Sequence, residues 1–417
     1  MSIMLLKREK QSMIKITIIG DIMCEPMLIR SAKKGDSFNF GSLFNNVTEL
    51  FKDSDYVIGN LETPLGGKKA SFCKDLYSFN APDEFAEALK NAGINFVTTA
   101  NNHCLDRGYD GLKRTIKILD DLGIKHCGTS LQNENRIGYF NIKDKRFAVV
   151  CGTYGTNFAD NHEPIPQEHP ECVNMLRSQN AIPFYKTCSR PKPERKNSIG
   201  KPLRGLRKIM KILGFLPWKI QQAAKLFHQG QTIPYPDNYA EGELPNQYSR
   251  MLLNDLQNAK NNADFVIFLP HMGGQFNKEP GSFSQYFTNL AAESGLCNAV
   301  IASHPHVVQK AEMISKIPCF FSIGNFNMSP NSFYIPDSVR TDLGLAVHLY
   351  FSETDLEKVS YSILKTMEPK NGKISVFVLN VSDKQNLSDV NYIIGMVDTD
   401  SNTIYNNEVV YCENCCN

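Results

Sequence analysis

The chain has 417 residues, a net charge of +2, and 42% hydrophobic and 21% charged residues. That is an ordinary globular balance, long enough for one large core with an insertion or a small second unit. Near-neutrality removes the global field that nucleic acids select for, so no nucleic-acid partner is expected and electrostatic arguments have to be local. At the N-terminus the apolar piece Ile3–Leu6 runs into Lys7, Arg8 and Lys10. It is far shorter than the ~7–15 residues of a secretory h-region. No apolar run reaches the ~18–20 residues of a membrane span. The expectation is a cytoplasmic, reduced protein, with Cys24, Cys127, Cys151, Cys297 and Cys319 serving as small buried hydrophobes.

The elements follow a recurring unit of a short β-branched or aromatic run closed by polar residues. Lys15–Ile19 closes at Gly20-Asp21, and Tyr56–Ile58 at Asn60-Leu61-Glu62. A helix over Asp83–Asn91, with Asp83 as N-cap, leads to Phe96–Thr99, which closes at Asn101-Asn102-His103. The helix Asp110–Leu122 carries Leu112, Thr115, Ile116, Leu119 and Leu122 on one stripe, with Gly123 to cap it. Phe147–Cys151 closes at Gly152-Thr153-Tyr154. Residues 161–247 break the pattern and read as a basic insertion: Arg190 to Lys219 holds ten Lys/Arg and one acid, Glu194. A helix over Tyr248–Asn261 resumes the alternation. Phe265–Leu269 precedes His271, Ala299–Ala302 precedes His304-Pro305-His306, and Cys319–Ile323 closes at Gly324-Asn325. Short apolar runs bounded this way suit strands buried on both faces, and their alternation with helices predicts an α/β architecture. Leu345–Phe351 and Ile374–Val381 alternate as strands before a polar tail bearing Cys412, Cys415 and Cys416. That tail is open to metal binding, to oxidation, or to plain fraying. The division is a core of 1–160 and 248–350, the insertion 161–247, and a C-terminal β extension and tail, 351–417.

In α/β sheets ligands bind beyond the carboxyl ends of the strands. Five runs deliver Asp, Glu, Asn or His to that edge. One histidine after a strand is ordinarily a hydrogen-bonded core or surface residue. His103, His271, His304 and His306 together are harder to read so, and Pro305 stiffens the link between two imidazoles. Mixed imidazole and carboxylate donors suit a divalent first-row metal such as Mn²⁺, Fe²⁺ or Zn²⁺.

At these residues the chain resembles the capsule-synthesis CapA family, the poly-γ-glutamate biosynthesis proteins, which are similar to calcineurin-like metallophosphoesterases. The matching pieces are GDIM (20–23), NLETPL (60–65), ANNHCLDRGYDGLKRTIKIL (100–119), YGTN (154–157), LPHMGGQF (269–276), SHPHVVQ (303–309) and FSIGNF (321–326). They cover roughly 14–160 and 248–350. The resemblance implies a four-layer α/β-β/α sandwich of metallophosphoesterase type, with an insertion. It also implies roles: Asp21 as first-motif ligand, Glu62 as bridging carboxylate, Asn102 as amide ligand, His271 and His304 completing one metal's shell, and His306 facing a second. His103 would be the imidazole that meets the substrate phosphate or leaving group. Three departures stand out. Met23 replaces the histidine of the usual Asp-x-His motif, Met272 and Gln275 replace frequent Trp and Glu, and the N-terminal membrane anchor that many members carry is not expected here.

One tightly held metal is therefore expected, with a second weak or absent. In a phosphoesterase reading, His103 serves the leaving oxygen; Asp106 either orients His103 or caps the next helix. Glu25 and Gln275 have two readings, facing the mouth of the site or, the expected one, a solvated surface. The insertion has three readings: a solvated surface; a cover over the mouth that attracts an anionic small-molecule or polymer substrate; or, through Leu203 to Trp218, an amphipathic helix that places the protein peripherally on an acidic membrane surface. Two functions stay open: a metal-dependent hydrolase, or a non-hydrolytic assembly or export factor working with polymer-synthesis machinery. A binding module with a metal-stabilised site is weaker.

Overall fold

The structure is a computed structural model that describes residues 13–72, 78–132, 136–180, 237–329, 332, 335, 339–368, 372–397, 404–405, 407–413 and 415. The expectations placed on Arg190–Lys219 and on Leu203–Trp218 fall outside the described residues.

Two sheets face each other. The first holds β1 (Ile14–Ile22), β4 (Tyr56–Leu61), β5 (Phe96–Thr98), β6 (Lys125–Cys127), β13 (Asn325–Asn327), β14 (Leu343–Phe351), β15 (Leu356–Met367), β16 (Ser375–Val378), β17 (Ile404–Tyr405) and β18 (Glu408–Glu413). Its order is β17-β18-β15-β14-β1-β4-β5-β6, with β13 on β1 and β16 on β15. The second holds β7 (Ile137–Ile142), β8 (Lys145–Thr153), β9 (Phe265–His271), β10 (Ala299–Ile301), β11 (Ala311–Ile314) and β12 (Ile317–Phe320), in the order β11-β12-β10-β9-β8-β7. A small hairpin, β2 (Lys33–Lys34) and β3 (Ser37–Phe38), stands apart. Strands β1, β4, β5 and β6 run parallel, as do β8, β9 and β10. Their carboxyl ends therefore collect on one edge in each sheet.

The period of two along each strand builds the layers. Phe147, Val149 and Cys151 of β8, and Phe265, Ile267 and Leu269 of β9, point into the core between the sheets. They meet Ile14, Ile16 and Ile18 of β1 and Val347, Leu349 and Phe351 of β14 there. The intervening Ala148, Val150, Val266 and Phe268 face outward onto the helices Gln247–Asn262 and Ser282–Glu293. On the far side, Ile19, Val57 and Val97 pack under Leu28 and Ile29, and under Phe85 and Leu89 of the helix Asp83–Ala92. The result is a four-layer α/β-β/α sandwich. Each buried aromatic at the centre, such as Phe147 or Phe265, contributes about 1.5–3 kcal/mol of burial.

Of two helix ends read from the sequence, one differs and one agrees. The helix begins at Asp83 itself, after Pro82; Asp83 makes no cap and instead takes both terminal nitrogens of Arg114 at 2.7 Å. The helix Gly108–Asp121 does stop as expected: Gly123 turns left-handed and its N–H reaches the Asp120 carbonyl at 2.9 Å.

Under the site the backbone is pinched. A Cβ on Gly20 would stand 2.0 Å from the Gly324 carbonyl oxygen, and one on Gly344 would stand 1.9 Å from that of Asn325. No side chain fits at either place, so β1, β13 and β14 close up directly beneath Asp21.

At the other end of the chain, Cys412 lies on β18 and is disulfide-bonded to Cys415, whereas Cys416 lies outside the described residues. The five cysteines read as buried hydrophobes are free and buried. No helix among the described residues is long and apolar enough to cross a membrane.

Candidate metal centre

Each chemical group stands where a strand stops. Asp21 follows a register break in β1, Glu62 follows β4, and Asn101-Asn102-His103 follow β5. His271 ends β9, and Ser303 to His306 follow β10. His304 and His306, on either side of Pro305, both hold left-handed backbone, with φ of 108° and 59°. Such conformations cost roughly 1–3 kcal/mol each for ordinary side chains and persist where the surroundings impose them.

The structure brings all six expected ligands together. Donor atoms of Glu62, His271 and His304 lie within 4.8 Å of one another, and so do those of Asp21, Glu62 and His306. Glu62 belongs to both groups. His271 Nε2 is 3.5 Å from Glu62 Oε1, 3.2 Å from His304 Nδ1 and 2.7 Å from Asn102 Oδ1. His306 Nε2 is 3.7 Å from Glu62 Oε1, and its Nδ1 is 3.4 Å from Asp21 Oδ2. Two donors ~2.1 Å from a shared tetrahedral ion stand about 3.4 Å apart, so these separations fit a cation between them.

A second observation tests that fit. Glu62 is fully buried, yet neither carboxylate oxygen has a hydrogen-bond partner, and His306 Nε2 is likewise unpartnered. A buried carboxylate that accepts no hydrogen bond costs several kcal/mol, so natural proteins satisfy such groups or place a metal against them. Imidazole, carboxylate and amide donors in this mixture suit a divalent first-row ion.

The electrostatics of these donors are those of groups crowded out of water. Burial would raise the Asp21 carboxyl, but His271 and His306 outweigh it and hold it well below the usual range. Burial would lower His271, yet Glu62 and Asp21 push it up to about 9. His306 is also raised, its burial offset by Glu62, Asp21 and Asn325. His304 is driven down by burial and by His271 and His306.

Beside the ligands sits His103. Its Nδ1 is 2.7 Å from Asp106 Oδ2, and its Nε2 lies 3.8 Å from Glu62 Oε1. Asp106 also accepts from the Phe79 N–H at 2.7 Å and from Asn161 Nδ2 at 3.3 Å. The cap position of the following helix is Arg107, with no side-chain cap bond. Of its two expected roles, Asp106 therefore takes the orienting one.

Several contributors lie in the matching motif pieces but are not among the expected site residues. Asn60 Nδ2 reaches Asp21 Oδ1 at 2.8 Å and His271 Nδ1 at 3.1 Å, and Ser303 Oγ is also 3.1 Å from that nitrogen. Asn325 Oδ1 is 2.9 Å from His306 Nδ1. Such partners fix which ring nitrogen faces a metal. Glu25 corrects an expectation: it is 1% exposed, not solvated, because the Ser329 N–H and Ser332 hydroxyl bind its carboxylate. Gln275 is half-buried. Met23 turns into an apolar cluster with Phe79, Phe276, Val307 and Met328, and Met272 packs in the outer core of the second sheet.

The chain is similar to several known proteins. The chain is 25% identical over 344 residues to an uncharacterized protein of Sinorhizobium fredii, y4sH, covering 78% of this chain and 67% of that one. It is 24% identical over 330 residues to the capsule biosynthesis protein CapA of Bacillus anthracis, covering 77% of this chain and 61% of the relative. Among solved structures, a novel phosphatase from Mycoplasma pneumoniae aligns with a TM-score of 0.38 at 11% identity, over 86% of this chain and 96% of that one. The sequence model described as bacterial capsule synthesis protein PGA_cap matches residues 15–329, and with three quarters of its length so matched, the chain belongs to that family.

Proposed function

We propose that this protein is a metal-dependent hydrolase of phosphoesterase type, working in the biosynthesis of capsule or of a poly-γ-glutamate-like anionic polymer. One observation carries the reading: Glu62, buried and without a hydrogen-bond partner, stands between two sets of donors. Glu62, Asn102, His271 and His304 supply four donors for one tightly held ion. Asp21 and His306 supply fewer for a second, weaker one, since Met23 offers no nitrogen there. A bound Mn²⁺, Fe²⁺ or Zn²⁺ supplies Lewis-acid charge and makes water a better nucleophile. The chain's own residues do the rest. Asp106 fixes the His103 ring, and His103 Nε2, beside the ligands rather than among them, carries the proton that a leaving oxygen needs. The substrate is an anionic ester, small or polymeric.

The second reading is a non-hydrolytic assembly factor for the same polymer, favoured by the names of the relatives. The oriented His103–Asp106 pair argues for chemistry, because a metal held only for stability needs no such imidazole. Metal analysis of the purified protein, followed by phosphomonoesters and phosphodiesters assayed with each metal supplied, separates them. Bound metal with turnover is expected; a protein that retains no metal from any of the three sinks the hydrolase reading.

A further inference from the structure

Asn157 is the last residue of the YGTN segment that leaves β8, and it comes from the sheet opposite Asn102 and His103. Its φ is 52°, a left-handed conformation that asparagine tolerates better than most residues. The loop around it is held without its side chain. Thr153 Oγ1 donates to the Gly155 carbonyl, Asn161 Nδ2 donates to the Thr156 carbonyl, and Gln179 Nε2 donates to Thr156 Oγ1. The Asn157 side chain is thus delivered to one place, between two groups of the site.

There it makes two contacts. Its Oδ1 accepts from Asn102 Nδ2 at 3.2 Å, and its Nδ2 lies 3.5 Å from His103 Nε2. A carboxamide has one end that can ligate a cation, the oxygen, and one that cannot. With its nitrogen tied to Asn157, Asn102 turns its oxygen toward His271 Nε2, 2.7 Å away. We propose that Asn157 is a positioning residue that keeps the Asn102 oxygen facing the cation. The inference rests on the metal-site reading above. It makes the second sheet a contributor to a ligand borne on the first.

The test uses the full chain, stripped of metal and titrated with Mn²⁺ by calorimetry. Asn157→Gly removes the side chain and relaxes the left-handed backbone; Asn157→Asp keeps the oxygen acceptor. Loss of a partner behind a ligand costs ~10–100-fold in metal affinity, the drop expected for Asn157→Gly. Asn157→Asp is expected to restore the affinity, which a merely structural role would not produce. Thermal denaturation of the metal-free proteins checks that both variants fold. Wild-type affinity in Asn157→Gly, or equal weakness in Asn157→Asp, overturns the positioning role while leaving the metal site standing. A wild type that takes up no Mn²⁺, Fe²⁺ or Zn²⁺ overturns the site and this role together.

Discussion

Strand β1 carries a buried ionic cluster at each end, and the two are built to opposite rules. At its start, Lys15 Nζ binds Asp53 at 2.6 Å and Glu408 at 2.8 Å, while Glu408 also accepts from Tyr350 and Ser360. Nearby, His348 rests between Thr17 Oγ1 at 2.8 Å and Ser362 Oγ at 3.0 Å. At its end, about 20 Å away by strand rise, Asp21 belongs to a cluster in which Glu62 and His306 Nε2 have no hydrogen-bond partner. The first cluster closes on itself and holds the sheet together. The second leaves its charge open, which costs stability unless a cation completes it. Burial alone does not separate the two; the accounting of partners does.

The strongest way to break the comparison is His304→Ala. It should abolish metal retention and turnover together, checked by elemental analysis and esterase assay on the same preparation. His103→Ala should keep the metal and the fold but lower turnover ~10²–10⁴-fold, the usual share of a positioned acid or base. If His103→Ala also strips the metal, the division between ligands and proton carrier is wrong. At the other cluster, Lys15→Ala should cost about 3–5 kcal/mol in urea unfolding, because it leaves buried Glu408 without its cation. Metal affinity should not move.

The closed cluster should also show in acid. Burial, reinforced by Lys15, outweighs the pull of Glu408 and drops His348 to about 3. The unfolded chain then takes a proton below its ordinary value of about 6.5 that native His348 refuses. Stability from this group is present above that pH and falls by about 1.4 kcal/mol per pH unit as the solution is acidified toward pH 3. Burial alone would raise the Glu408 carboxyl, but the nearby His348 imidazole, with hydrogen bonds from Lys15 and Ser360, more than offsets it and takes it down to about 2. Its contribution fades in the same direction at still lower pH. Unfolding of the metal-free protein from pH 7.5 to 4 should lose that slope in His348→Gln relative to wild type. The smallest expected change is at Met23→His, which should raise occupancy at Asp21 and His306 by adding a nitrogen donor. Two equivalents already retained by the wild type through chelator dialysis would remove the reason for it.

The fold and the donor list were largely legible in the sequence because each ligand follows an apolar run, and the run itself says where a strand stops. Asp21, Glu62, His271 and His304 announce themselves in this way. Asn60 and Asn325 also close apolar runs, but amides and hydroxyls are common where strands turn, and the partners of Asn60, Ser303, Asn325 and Asn157 are set only by three-dimensional closure. Lys15 and Glu408 are 393 residues apart and share no pattern. Glu25 looked solvated because its partners, Ser329 and Ser332, lie about three hundred positions away.

The pinch at Gly20 and Gly344 bears on how such proteins diverge. Neither position accepts even a methyl group, whatever the protein does, because the obstruction is backbone carbonyl from a neighbouring strand. The ligands are under a different constraint, that of chemistry alone. Among distant relatives the glycine pair should therefore mark descent and the histidines should mark activity, and the two should be lost independently. A relative that keeps both glycines but has exchanged His304 for an apolar residue is expected to be an inherited scaffold without catalysis, and to bind no metal when purified.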